Sequence, residues 1–162
     1  MMLQVAISIE DDSWQDLATN VTSLCESSLT KAWQSLDDQS GSEAWVSILL
    51  TNDQQMQSLN SQYRNKDKPT NVLSFPSPEN TAMSEGEGHV LGDIALSAQT
   101  IVREAAEQSK TVPDHLAHLL VHGLLHLLGY DHEVDDEAAV MEQLEIDILA
   151  TMDVPNPYGH IL

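Results

Sequence analysis

Five of the seven histidines in this 162-residue chain fall between positions 115 and 132. His115, His118, His122 and His126 recur at three- and four-residue steps, which sets them along one face of a helix. Leu116, Leu119, Leu120, Leu124, Leu125, Leu127 and Leu128 stand around them. A helix apolar nearly all round belongs in an interior. Imidazoles held there need polar partners, and a metal ion satisfies several at once. His122 and His126, four residues apart, present ring nitrogens to one ion from one face. Gly129 can adopt the left-handed conformation that stops the helix and turns the chain back. His132, three residues later, then reaches the same ion. Three imidazoles with a fourth position open make a catalytic zinc site. His115 and His118, in the preceding turns, either orient the ligands or satisfy polar groups in the core.

The spacing H-x-x-x-H-x-x-G-x-x-H is the ligand spacing of the metzincin metalloproteases. Those enzymes carry glutamate, their general base, directly after the first histidine; here Gly123 stands there. Peptide hydrolysis by that route lacks its proton acceptor, and Asp93, Asp131 and His118 are the remaining candidates for a base. A second cluster is cationic. Arg64, Lys66 and Lys68 supply three of only six basic residues. Alone, such a run is either a solvated loop or a phosphate-contacting one. Arginine suits phosphate because its planar fork donates two hydrogen bonds and keeps its charge. A metal centre elsewhere in the chain favours the second reading, since a metal and an arginine together stabilise a phosphoryl transition state.

These residues need elements to carry them. Val5, Ile7 and Ile9 predict a strand over 3–9. Ser13, with Asp16 three positions on, predicts the start of one helix whose stripe runs through Leu17, Val21, Leu24, Leu29, Trp33 and Leu36. Strands are expected at Trp45–Leu50, Asn71–Phe75 and His89–Leu96, and a helix at Asn52–Tyr63. Residues 76–88, with two prolines and two glycines, read as a loop. Ser97 opens a helix to Ser109, and Thr111 with Pro113 in the first turn opens the histidine helix, which ends at Gly129. A last helix begins at Asp135–Asp136 and buries Met141, Leu144 and Ile148; residues 154–162 read as a C-terminal tail. The expectation is one α+β (mixed α/β) domain spanning 1–162: a small, mostly parallel sheet of about four strands, about five helices, and the metal site on a central buried helix.

Composition agrees. Apolar residues make up 41%, charged residues 20% and aromatics 4%, so aliphatic side chains must fill the core. Six basic against 26 acidic residues give a net charge of −20. That balance argues against a surface that grips DNA or anionic membrane non-specifically. The single Cys25 cannot form an internal disulfide and sits in an apolar stripe, so it reads as a buried thiol. Neither a signal peptide nor an apolar run of membrane-spanning length is visible, and a cytoplasmic location is the expectation.

The chain resembles the YbeY endoribonucleases of bacteria. The resemblance rests on His122-Gly123-Leu124-Leu125-His126-Leu127-Leu128-Gly129-Tyr130-Asp131-His132 and on Leu59 to Pro76, which includes Tyr63-Arg64-Asn65-Lys66-Asp67-Lys68-Pro69-Thr70-Asn71-Val72-Leu73-Ser74-Phe75. Leu91-Gly92-Asp93-Ile94 and Asp135-Asp136-Glu137-Ala138 also look like family segments. The resemblance implies a single-strand-specific, metal-dependent endoribonuclease that matures the 3′ end of small-subunit (16S) ribosomal RNA and acts in ribosome quality control. It implies one metal ion, usually zinc, on His122, His126 and His132, and an arginine important for activity at Arg64. The implied partners are single-stranded ribosomal RNA and the ribosome or its associated proteins. Asn65 stands where the family has glycine; asparagine also tolerates a left-handed turn. Two rivals remain at this stage: a metalloprotease-like hydrolase and a non-catalytic ribosome assembly factor with a closed structural metal.

Overall fold

The computed structural model describes residues 3–17, 20–36, 43–78, 89–131 and 133–158. Four strands, β1 (Leu3–Ile9), β2 (Ala44–Thr51), β3 (Val72–Pro76) and β4 (His89–Ser97), form one sheet in the order β1-β2-β4-β3. β1 pairs parallel with β2 and β2 with β4, while β3 runs antiparallel along the β4 edge. Six helices lie among the described residues: α1 (Trp14–Leu17), α2 (Val21–Gln34), α3 (Asp53–Arg64), α4 (Ala98–Glu107), α5 (Val112–Leu127) and α6 (Asp135–Ala150). The expected α+β domain with a small, mostly parallel sheet is therefore what the chain forms.

Period-two alternation decides which face of the sheet is buried. In β2, Ala44, Val46, Ile48 and Leu50 are buried, whereas Trp45 and Ser47 are exposed. The buried set, with Leu91, Ile94 and Leu96 of β4, packs against α2 and α5 in one continuous core. A smaller cluster of Met56, Leu73 and Ala95 forms under α3 on the opposite face. Cys25 lies in the main core, and burial pushes its thiol up to about 12.

The first helical region departs from expectation. The single helix expected from Ser13 is two, α1 and α2, because Asn20 takes a left-handed conformation (φ 57°) and caps α2, its side chain accepting from the Ser23 amide. Apolar periodicity alone cannot register such a break. The cap at Ser13 also differs: its amide and hydroxyl both donate to Asp11 Oδ1. Ser97 makes no side-chain cap to α4 and instead donates its hydroxyl to Asp53.

Candidate metal centre and cationic cleft

α5 starts where the sequence predicts. The Thr111 hydroxyl accepts from the Asp114 amide at 3.2 Å, and Pro113 occupies the first turn. Leu116, Leu120, Leu124 and Leu125 are fully buried, so burial in the core rather than propensity holds this helix in place. Gly123 packs close against the sheet. A Cβ there would lie 3.0 Å from Ile94 Cγ2 and 3.2 Å from Ser74 Oγ, and the Ser74 hydroxyl donates to the Gly123 carbonyl at 3.2 Å. The missing glutamate thus has a packing reason: the position faces β3 and β4, where even a Cβ would need Ile94 and Ser74 to shift.

At the other end, Gly129 has φ 101°. The Tyr130 amide donates to the Leu125 carbonyl at 3.0 Å and the Gly129 amide to the His126 carbonyl at 3.1 Å, the pair of bonds that ends a helix in a Schellman motif. The positive φ expected of Gly129 is present. His132 lies outside the described residues.

The histidines form a row. Ring centroids are 6.2 Å apart from His115 to His118, 6.2 Å from His118 to His122 and 4.5 Å from His122 to His126. The last pair brings the two Nε2 atoms to 3.1 Å. Two nitrogens on one tetrahedral zinc, each about 2.0–2.1 Å from it, are separated by about 3.3 Å, so the spacing fits a shared ion. His115 lies apart from this arrangement: it is buried and its Nε2 pairs with Glu104 Oε1 at 2.9 Å.

Sequence reasoning missed Glu145. It is fully buried on α6 and faces the row, with Oε1 2.8 Å from His122 Nδ1 and Oε2 3.2 Å from His118 Nε2. Tyr158 donates its hydroxyl to the same Oε2 at 2.6 Å. Burial disfavours the charged carboxylate, but the hydrogen bonds from His118, His122 and Tyr158 outweigh it and hold Glu145 down to about 2. Burial holds His118 below its ordinary value against the pull of Glu145. His118, His122 and Glu145 also make a group that could hold a metal, with ligand atoms within 4.8 Å of one another. An ion there would have to displace the His122–Glu145 contact, whereas one between His122 and His126 would leave it intact. A signal for Glu145 existed in the sequence: it interrupts the apolar stripe Met141–Ile148 of α6 at the four- and three-residue steps that mark a buried face.

His122 and His126 open into a cleft of about 620 Å³ that Arg64, Lys66, Asn71, Ser74 and Asp131 also line. Arg64 is the last residue of α3, and Asn65 turns the chain in the left-handed region (φ 59°), as its tolerance of that conformation allows. The loop beyond is built by α3 itself. The buried Asn60 donates to the Lys68 carbonyl at 2.9 Å, its own carbonyl accepts from the Lys66 amide at 3.2 Å, and Gln57 donates to Asp67 Oδ1 at 3.0 Å. α3 packs on the face of the sheet opposite α5, yet its end reaches the cleft because β3, the edge strand, lies between them. Lys68 does not line the cleft. Of the three candidate bases, Asp131 lines it; His118 faces Glu145, and Asp93 opens into a separate groove with Tyr63 and Phe75.

The family described as Endoribonuclease YbeY matches residues 5–153. The chain is 46% identical to an Endoribonuclease YbeY of Bartonella bacilliformis over 162 residues, 99% of this chain and 100% of that one. It is 43% identical to the Rhodopseudomonas palustris protein of the same name, covering 94% of this chain and 80% of that one. With the Magnetococcus marinus Endoribonuclease YbeY it shares 55% identity, covering 70% and 82%. The solution structure of TM1509 from Thermotoga maritima has the same fold, with a TM-score of 0.52, 23% identity and coverage of 94% of this chain and 92% of that one. No helix among the described residues is long and apolar enough to cross a membrane.

Proposed function

The chain belongs to the Endoribonuclease YbeY family, hydrolases acting on RNA, and from that premise we propose that residues 1–162 form one endoribonuclease domain that cuts single-stranded RNA with a metal ion held by His122, His126 and His132. The observation that carries the proposal is the 3.1 Å approach of the His122 and His126 Nε2 atoms inside a cleft that Arg64 and Lys66 line together with Asp131 and Glu133. Neutral imidazoles suit zinc. A bound zinc supplies a Lewis acid for a phosphoryl oxygen and lowers the pKa of water.

The chain's own residues do the rest. Arg64 grips the substrate phosphate through its planar fork and offsets the charge that builds on it. Lys66 holds the strand beside it as a point charge. Asp131, on the rim of the same cleft, is placed to take the proton released from the attacking oxygen. Gly123 lets α5 seat against Ser74 and Ile94, which fixes both histidines over the β3 edge. The physiological substrate in this reading is the 3′ end of small-subunit ribosomal RNA. The wider role is ribosome quality control in the cytoplasm, with ribosome-bound proteins delivering the enzyme, since a chain of charge −20 is poorly drawn to RNA unaided.

The test combines metal content with cleavage. Purified protein should hold one zinc per chain and cut single-stranded RNA, and His126→Ala should lose both. Arg64→Ala should keep its zinc and fold but lose cleavage, with a larger fall in rate than in RNA affinity. Arg64→Lys should recover only part of the rate, because an ammonium lacks the fork. Wild-type rates from Arg64→Ala at saturating metal would remove the arginine from the reaction.

A further inference from the structure

We propose that Glu145 is the positioning residue of the metal site, fixing the His122 ring so that Nε2 and not Nδ1 faces the ion; the proposal rests on the metal-site reading above. His122 has two ring nitrogens, and only one can serve the cleft. Nε2 lies 3.1 Å from His126 Nε2, on the cleft side. Nδ1 lies 2.8 Å from Glu145 Oε1, on the buried side. A carboxylate cannot donate, so at this contact Nδ1 carries the hydrogen and Nε2 keeps its lone pair for a metal. The tautomer and the ring's orientation are set together, which is how a partner behind a metal-binding histidine raises affinity.

Glu145 is in turn held from three sides. It belongs to α6, whose Met141, Ile148 and Leu149 are anchored in the core. His118, one turn before His122, meets Oε2 at 3.2 Å. Tyr158 donates to Oε2 at 2.6 Å from the end of the described chain, where Pro157 is buried. The carboxylate is fully buried, a costly placement unless its oxygens are used. Of the three partners on which they are used, His122 is the one that lines the cleft, and His118 and Tyr158 hold the carboxylate from behind. The segment 154–158, distant from His122 in sequence, is thereby part of the support of the metal site.

Two measurements test this, and neither uses RNA cleavage. Zinc affinity is measured by chelator competition for wild type, Glu145→Gln and His126→Ala. Glutamine is isosteric, its oxygen can still accept from Nδ1, and its amide can donate to His118 or Tyr158; the variant therefore removes charge and orienting strength without opening a hole. We expect Glu145→Gln to bind zinc about 10- to 100-fold more weakly with the thermal unfolding of the metal-free protein little changed. The second measurement needs no variant: nitrogen-15 spectra of the wild-type imidazoles should show His122 protonated at Nδ1 and metal-bound at Nε2. Unchanged affinity in Glu145→Gln, or the opposite tautomer at His122, overturns the proposal while lost binding in His126→Ala still upholds the metal site. If wild type binds no zinc, both readings fall.

Discussion

Gly123 separates this helix from that of a metalloprotease, and it does so by volume. The ideal Cβ meets Ile94 at 3.0 Å and Ser74 at 3.2 Å, so Gly123→Ala should force those side chains to shift and cost about 1 kcal/mol, the low end for overpacking. Denaturant unfolding reads that loss directly; an unchanged midpoint would mean that β3 and β4 yield freely. Gly129 acts through the backbone instead. Nothing lies within 4 Å of its ideal Cβ, but φ is 101°, so Gly129→Ala should cost about 1 kcal/mol and loosen zinc by disturbing the turn that leads toward His132. Full zinc affinity in that variant would show that the turn is not needed for ligation. The placement of His122 and His126 together was legible at this scale, because spacing on a helix maps straight onto a face. The His122–His126 pair was readable in that way and the turn at Gly129 from its residue type, whereas the left-handed Asn65 was suggested only by the family resemblance. Glu145 was not read, because its role depends on which helix packs against α5, and nothing local in the sequence states that. Asp93 stood as a candidate base for the same reason in reverse: strand alternation sends it to the face away from α5.

At the scale of elements, α3 works as an arm that carries cations around the β3 edge. Its hold on the loop is the buried Asn60, so Asn60→Ala should leave the Lys68 carbonyl unpaired. The expected loss is about 1–3 kcal/mol of stability, together with slower RNA cleavage while zinc stays bound. Stability loss with normal cleavage would show that the loop orders itself. The N-terminus of α3 is tied to α4 through Asp53, which takes hydrogen bonds from Ser97 and Thr100 (2.6 Å from the latter) and from Arg103 at 3.0 Å. Burial works against the charge on Asp53, yet those hydrogen bonds and the guanidinium hold its carboxyl below the usual aspartate range. A depressed folded-state pKa gives stability that is present above the unfolded value and lost as pH falls through the folded one. Wild type should therefore be more stable than Asp53→Asn at pH 7, with the gap closing below about pH 4 in acid titrations of unfolding; a gap independent of pH would assign the difference to packing. The break between α1 and α2 was illegible from periodicity, since Asn20 interrupts the backbone without interrupting the apolar stripe from Leu17 to Val21.

For the whole molecule, the charge of −20 confines phosphate contact to the few cations that reach the cleft. Two cations, Arg64 and Lys66, line the cleft opposite two carboxylates, Asp131 and Glu133, so the phosphate contacts come from those two side chains and not from a net positive surface. At about 0.7 per phosphate contact on a single strand, the log–log salt dependence of RNA binding should have a slope of about −1.4. A slope steeper than about −3 would require a further basic surface, which is not found among the described residues. Weak, shallowly salt-dependent binding also fits an enzyme that depends on being delivered to its substrate. The central claim is that the histidine cleft cuts single-stranded RNA. It is tested most directly by loading the protein with one equivalent of zinc and comparing cleavage of one RNA sequence as a single strand and as a duplex, for wild type and His126→Ala. The account predicts rapid cleavage of the single strand by wild type, little of the duplex, and none of either by His126→Ala; equal cleavage of the single strand by the two proteins would contradict it.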